Sequence, residues 1–152
     1  FNKRYDAMNK DADVLFIFGG TNDFGHGDAP IGKEDDESVY TFNGALNTLF
    51  KKAVFDFGKE NVIVMTPLHR VGEDNLRGEG NKAADGEKLS FYAEVIRKQA
   101  QKYGLRVIDL YGEKALNPNI SDNAKFFADG LHPNNDGHAL LAKIIKERLG
   151  RI

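Results

Sequence analysis

Short apolar runs alternate along this chain with longer stretches whose apolar residues recur at the spacing of an amphipathic helix. Three such runs predict buried strands over 13–18, 61–66 and 105–110. The helical spacing predicts one helix over 38–57, a second that ends at Tyr103 after a Gly-rich loop over 70–86, and a closing helix over 135–149. Strands joined by helices of this length form a parallel sheet covered on both faces. The sequence therefore predicts a three-layer α/β/α sandwich.

Composition narrows the class of protein. The 152 residues are 41% hydrophobic, which is ordinary for a soluble globular chain, and we expect a single domain over 1–152. The net charge is −2, and Lys and Arg are dispersed among Asp and Glu, so we expect no nucleic-acid partner. No apolar run approaches the roughly 20 residues of a membrane span. The absence of cysteine excludes disulfides, but it does not determine the cellular compartment. The sequence does not determine the oligomeric state either.

The first motif follows the first apolar run directly and reads Gly19-Gly20-Thr21-Asn22-Asp23. Two glycines allow the backbone to turn sharply at the end of a strand. In open parallel sheets ligands bind beyond the carboxyl ends of the strands, so this turn would bring Asn22 to the rim of a site. A side-chain amide there can donate a hydrogen bond to an oxygen that gains negative charge during acyl transfer.

The second motif precedes the closing helix and reads Asp129-Gly130-Leu131-His132-Pro133. It offers a histidine for proton transfer and, three residues earlier, a carboxylate that can orient the imidazole. Pro133 suits the first turn of a helix, so we expect His132 on the loop at the N-terminus of the closing helix. The two motifs together indicate the site of a hydrolase.

The pair of motifs resembles two of the four sequence blocks of the SGNH hydrolases, also called the GDSL esterase and lipase family. Gly20-x-Asn22-Asp23 is similar to the third block, and Asp129-x-x-His132-Pro133 to the last. The resemblance implies the flavodoxin-like fold of that family and a serine ester hydrolase that needs no cofactor. It also implies that Asn22 is an oxyanion-hole donor, that His132 is the general base, that Asp129 is its partner, and that Gly20 belongs to the same catalytic set.

The chain departs from this family in one respect. The Gly-Asp-Ser block with the nucleophile and the block that follows it are absent, so we expect an N-terminally truncated domain with an unpaired sheet edge and marginal stability. The three serines are poor replacements, because none lies on a glycine-flanked turn between a strand and a helix. We expect Ser38 to cap a helix, Ser90 to lie early in a helix, and Ser121 to lie in a polar loop that leads towards Asp129.

The expected substrate is a small soluble ester, such as an acylated carbohydrate, as the family resemblance implies. Thr21 in the first motif is a candidate substrate-binding residue. His69 and Arg70 are two more, because they follow the second predicted strand on the side of the site.

Two alternatives stay open. Without a nucleophile, the chain would be a non-catalytic α/β binding module, for carbohydrate for example, or an inactive fragment. A metal site would combine Asp129, His132, Asp136 and His138. Because helical geometry directs His132 and His138 differently, we expect no metal.

Overall fold

The computed structural model describes residues 2–27, 29–76 and 86–150. Its regular elements are, in chain order, α1 (Asn2–Tyr5), β1 (Leu15–Phe18), α2 (Thr21–His26), α3 (Phe42–Phe57), β2 (Val62–Met65), α4 (Leu89–Lys102), β3 (Arg106–Ile108) and α5 (Asn135–Leu149). Short 3-10 turns over Lys59–Asn61, Lys114–Leu116 and Ser121–Phe126 lie in the connections. None of the described helices is long and apolar enough to cross a membrane.

The three strands form one parallel sheet in the order β1-β2-β3. Its register pairs Leu15 with Val62 and Ile63 with Arg106. All four residues of β2 are buried, as expected of a strand with a neighbour on each side and helices on both faces. The predicted parallel sheet is confirmed, although each strand is shorter than its apolar run, because pairing stops where the chain turns into its connections.

Two cores lie on opposite faces of the sheet. Val62 and Val64 belong to a core that includes buried residues of α3 and α4, whereas Ile63 and Met65 belong to a core that includes buried residues of α5. Successive side chains of a strand point to opposite faces, so α3 and α4 cover one face and α5 the other. The predicted three-layer sandwich is confirmed.

β1 forms one edge of this sheet. Leu15 and Ile17 are buried in the core beneath α3 and α4, but Phe16 and Phe18 are 42% and 37% exposed on the opposite face. Within the described residues, no strand pairs with the outer side of β1. Its outward N–H and C=O groups are therefore available to another strand, as expected from the sequence.

The start of α3 corrects a sequence prediction. The helix begins at Phe42, and Thr41 is its N-cap, with a side chain that accepts a hydrogen bond from Gly44 N–H at 3.1 Å. Ser38 instead belongs to the preceding turn, where its carbonyl accepts from Thr41 N–H. Val39, which lies within the predicted helix, belongs to the same turn and is 45% exposed.

The second and third predicted helices are confirmed. α4 ends at Lys102 with Tyr103 as its C-cap, and Ser90 is its second residue. α5 runs over the predicted residues, Asn135–Leu149. Part of the predicted loop over 70–86, residues 77–85, lies outside the described residues.

Candidate active site

The chain turns sharply after β1 and enters α2, a six-residue helix that the apolar spacing did not predict. Gly20 has a φ of 101°, a conformation that glycine adopts without steric cost. A Cβ at this position would lie 2.9 Å from Cδ1 of Ile96 on α4, so the turn is packed closely against that helix. The result places Thr21 and the exposed Asn22 just beyond the carboxyl end of β1.

His132 lies on a tight turn, residues 128–132, which we call the His132 turn. The turn is closed by a hydrogen bond from Ala128 N–H to His132 O (2.9 Å). The histidine precedes α5, as predicted, but Pro133 is not in the first turn of that helix. Asn134 is the N-cap, accepting from Gly137 N–H, and Pro133 instead pairs with Phe127 in an isolated bridge.

Asp129 and His132 form a hydrogen-bonded pair within this turn. Oδ2 of Asp129 lies 2.8 Å from Nδ1 of His132, while Oδ1 accepts the backbone N–H groups of Leu131 (2.9 Å) and His132 (2.7 Å). These contacts, the His132 N–H above all, hold the pKa of the Asp129 carboxyl well below its usual range. A charged carboxylate at Nδ1 favours the tautomer that leaves Nε2 free to accept a proton.

A single cleft of about 190 Å³ brings the two motifs together. Thr21, Asn22 and His132 all line it, and its walls include Phe18, Leu68, Leu131 and Leu141. Oγ1 of Thr21 is buried without a hydrogen-bond partner among the described residues. The cleft therefore combines an amide donor and an imidazole with apolar walls.

His138 is a further cleft residue that the sequence did not single out for this role. Its position off the apolar stripe of α5 predicts a solvated side chain, and it is indeed exposed, yet it lines the same cleft as His132. The separation of six residues from His132 does not by itself predict that the two histidines share a cleft, because a turn and a helix cap lie between them.

His69 and Arg70 lie at the carboxyl end of β2 but are not among the residues that line this cleft. Nδ1 of His69 lies 2.9 Å from a carboxylate oxygen of Glu73, and its ring lies against Tyr111 with the centroids 4.1 Å apart. Arg70 is only 3% exposed, and its guanidinium lies over the ring of Phe24. Substrate contact by His69 or Arg70 remains a prediction.

None of the three serines, all of which lie in the described residues, lines the cleft of Asn22 and His132. Ser38 lies in the turn before α3, and Ser90 lies in the first turn of α4. Ser121 begins a 3-10 turn and is exposed. None of the three serines therefore offers a hydroxyl to the imidazole in this cleft.

The four residues considered for a metal do not converge in the structure. In the described parts of the chain, no three histidine, aspartate or glutamate side chains form a group with the spacing of metal ligands. The carboxylate of Asp129 instead faces His132 and the two backbone N–H groups.

Comparison with known proteins gives a family match that spans both motifs. The model of the GDSL-like lipase/acylhydrolase family matches residues 1–140. No curated protein sequence matches the chain.

Solved structures share the fold. A protein from Lactobacillus plantarum is 28% identical with a TM-score of 0.83, over 97% of this chain and 71% of that chain. The lipase/acylhydrolase from Enterococcus faecalis is 24% identical with a TM-score of 0.59, over 93% and 64%. An acetyl-xylooligosaccharide esterase from Geobacillus is 19% identical with a TM-score of 0.65, over 98% and 65%. At this identity, the last two show the fold alone.

Proposed function

Because the chain belongs to the GDSL-like lipase/acylhydrolase family, we propose that it forms part of a serine ester hydrolase that works through an acyl-enzyme. The observation that supports this most is that His132, which is hydrogen-bonded to Asp129, lines the same cleft as Asn22. In this proposal, Asn22 and backbone N–H groups donate to the oxyanion, His132 is the general base, and Asp129 orients it. Gly20, which does not line the cleft, forms the turn that presents Asn22.

The chemistry follows from these roles. A serine hydroxyl attacks the ester carbonyl while Nε2 of His132 takes its proton, and Asp129 stabilises the imidazolium that forms. The carbonyl oxygen becomes an oxyanion, to which the Asn22 amide donates. His132 then gives the proton to the departing alcohol, and water, deprotonated by the same imidazole, cleaves the acyl-enzyme. The steps require no cofactor.

The nucleophile in this proposal comes from outside residues 1–152. The unpaired side of β1 runs towards Gly20 and Asn22, so a strand paired in parallel with β1 would end beside the cleft. A serine at the end of that strand would meet the requirement for a hydroxyl close to the base.

The proposed substrate is a small soluble ester, with acetylated carbohydrate as the first class to test. The apolar walls of the cleft suit a short acyl group, and a cleft of about 190 Å³ is small for a long lipid chain. The fold is also that of an acetyl-xylooligosaccharide esterase, which favours sugar esters among the first substrates to test.

The second candidate is a non-catalytic binding module that uses the same cleft, favoured by the lack of a serine among the lining residues. Substitution separates the two functions. In protein that includes the nucleophile segment, His132→Ala should lower ester turnover roughly a million-fold, because the general base is lost. His26→Ala is the matched control, since His26 is exposed at the end of α2 and is not a cleft residue. Unchanged ligand binding with no turnover in either protein would favour the binding module.

A further inference from the structure

We infer that Glu73 is a positioning residue for the Asp129–His132 pair, although it does not line the cleft. Its contacts fix a loop over residues 69–73, which we call the Glu73 loop. This loop is hydrogen-bonded to the His132 turn on the side away from the cleft. The inference rests on the proposed function only in treating the Asp129–His132 pair as catalytic.

The Glu73 carboxylate is the anchor of its loop. Its side chain is only 13% exposed, and its oxygens meet Nδ1 of His69 at 2.9 Å and accept Arg70 N–H at 3.1 Å. Its backbone carbonyl accepts the N–H of Leu89, the first residue of α4, at 3.0 Å. A carboxylate removed from water requires such partners, so the contacts constrain each other. Glu73 therefore joins the end of β2 to the start of α4.

His69 is held from a second side. Its ring lies against Tyr111 at 4.1 Å between centroids, and Tyr111 N–H donates to Oγ1 of Thr66 at the end of β2. The ring that binds Glu73 is therefore itself fixed to the carboxyl edge of the sheet. The loop has little freedom to move while these contacts persist.

The Glu73 loop contacts the His132 turn through Val71. Val71 N–H donates to the carbonyl of Gly130, between Asp129 and His132, at 2.9 Å. Gly130 has a φ of +78°, and a Cβ added to it would lie 2.5 Å from Cγ2 of Val71. The two segments therefore interlock, and Gly130 is needed both for its backbone conformation and for the approach of Val71.

The contact matters because the pair it supports is exposed. The side chains of His132 and Asp129 are 72% and 53% exposed, so burial does not fix their position. The hydrogen bonds of Asp129 lie within the turn and cannot orient it relative to Asn22. Among the described residues, the bond from Val71 to Gly130 is the only hydrogen bond that joins residues 128–132 to a distant segment. Displacements of about 1 Å at a reacting group cost roughly 100-fold in rate.

The test compares Glu73→Ala with Glu113→Ala. Glu113 is a matched control because it is also a largely buried carboxylate, 19% exposed, and its partner is Arg148 at the far end of α5. In folded protein, ¹⁵N spectra of the His132 imidazole report its tautomer and titration midpoint, and exchange of the His132 amide reports the order of the turn. We expect Glu73→Ala to shift the imidazole signals and speed amide exchange, and the control to leave both unchanged.

Kinetics on the complete enzyme provide the second measurement. Glu73→Ala should lower kcat roughly 100-fold with KM little changed, because the base is displaced while the cleft walls remain. Glu73→Gln retains an oxygen for Arg70 N–H and should give an intermediate loss, and it serves for both measurements where the alanine variant does not fold. His132 signals and exchange that match the unsubstituted protein in a folded Glu73 variant would overturn the inference. Those spectra do not depend on turnover. A lack of hydrolase activity would therefore refute the proposed function, while the spectra would still decide whether Glu73 positions the Asp129–His132 pair.

Discussion

Gly20→Ala tests whether the packing of α4 dictates a glycine at the turn that presents Asn22. An alanine at a φ of 101° costs about 1–2 kcal/mol in backbone strain. Its Cβ would also lie 2.9 Å from Cδ1 of Ile96, and an overlap of this kind in a packed core adds about 1 kcal/mol. We therefore expect the free energy of unfolding, measured by urea denaturation, to fall by about 2–3 kcal/mol.

Gly104→Ala is the matched control for this prediction. Gly104 also has a positive φ, +65°, but the nearest atom to an added Cβ is Cδ of Lys59 at an ordinary 3.7 Å, so only the strain of about 1–2 kcal/mol remains. Ile96→Val removes the overlapping Cδ1, and in that background Gly20→Ala should lose no more than the control does. Equal losses for the two alanine variants, together with no coupling to Ile96→Val, would refute the reasoning. In the complete enzyme, Gly20→Ala should also lower turnover, because it moves Asn22, whereas Gly104→Ala should not.

Three further substitutions test other parts of the structure. Thr21→Val should leave the free energy of unfolding unchanged or raise it by about 1 kcal/mol, since Oγ1 is buried without a described partner. A loss of about 1 kcal/mol in urea denaturation would contradict this. Thr41→Ala should lower the free energy of unfolding, measured by thermal denaturation, by about 1 kcal/mol, because it removes the N-cap of α3, whereas Ser38→Ala should lower it much less. Equal losses for the two variants would indicate that Ser38 also caps the helix. Folding lowers the pKa of Asp129, so its contribution to stability is present above about pH 4 and is lost as the pH falls below that. The difference in urea midpoint between the unsubstituted protein and Asp129→Asn should therefore shrink below about pH 4. A difference that stays constant down to about pH 2 would contradict the charged pair.

The layered fold was predictable because its signals are local and periodic. The apolar run that became β2 is fully buried, and the spacing of α4 and α5 places apolar side chains on the two faces of the sheet. α2 was missed because its six residues include a glycine and polar residues of low helix propensity, with no apolar stripe. The start of α3 was misplaced because Ser38 and Thr41 are both good N-cap residues, and only the turn between them selects Thr41.

The site was predictable to the extent that its contacts are short in sequence. Asp129 and His132 meet within one turn, so their offset of three residues was enough to predict the pair. The contact between Val71 and Gly130 joins segments about 60 residues apart, and nothing in either local sequence indicates it. The cleft position of His138 depends on how α5 lies against the end of β1, which the helical pattern alone does not determine.

The most direct test of the proposed hydrolase is covalent labelling with a fluorophosphonate, followed by the intact mass and the modified residue of every polypeptide in the active preparation. The proposal predicts one adduct on a serine other than Ser38, Ser90 and Ser121, and its loss in His132→Ala but not in His26→Ala. An adduct on one of those three serines, or no adduct on folded protein that includes the segment paired with β1, would contradict it.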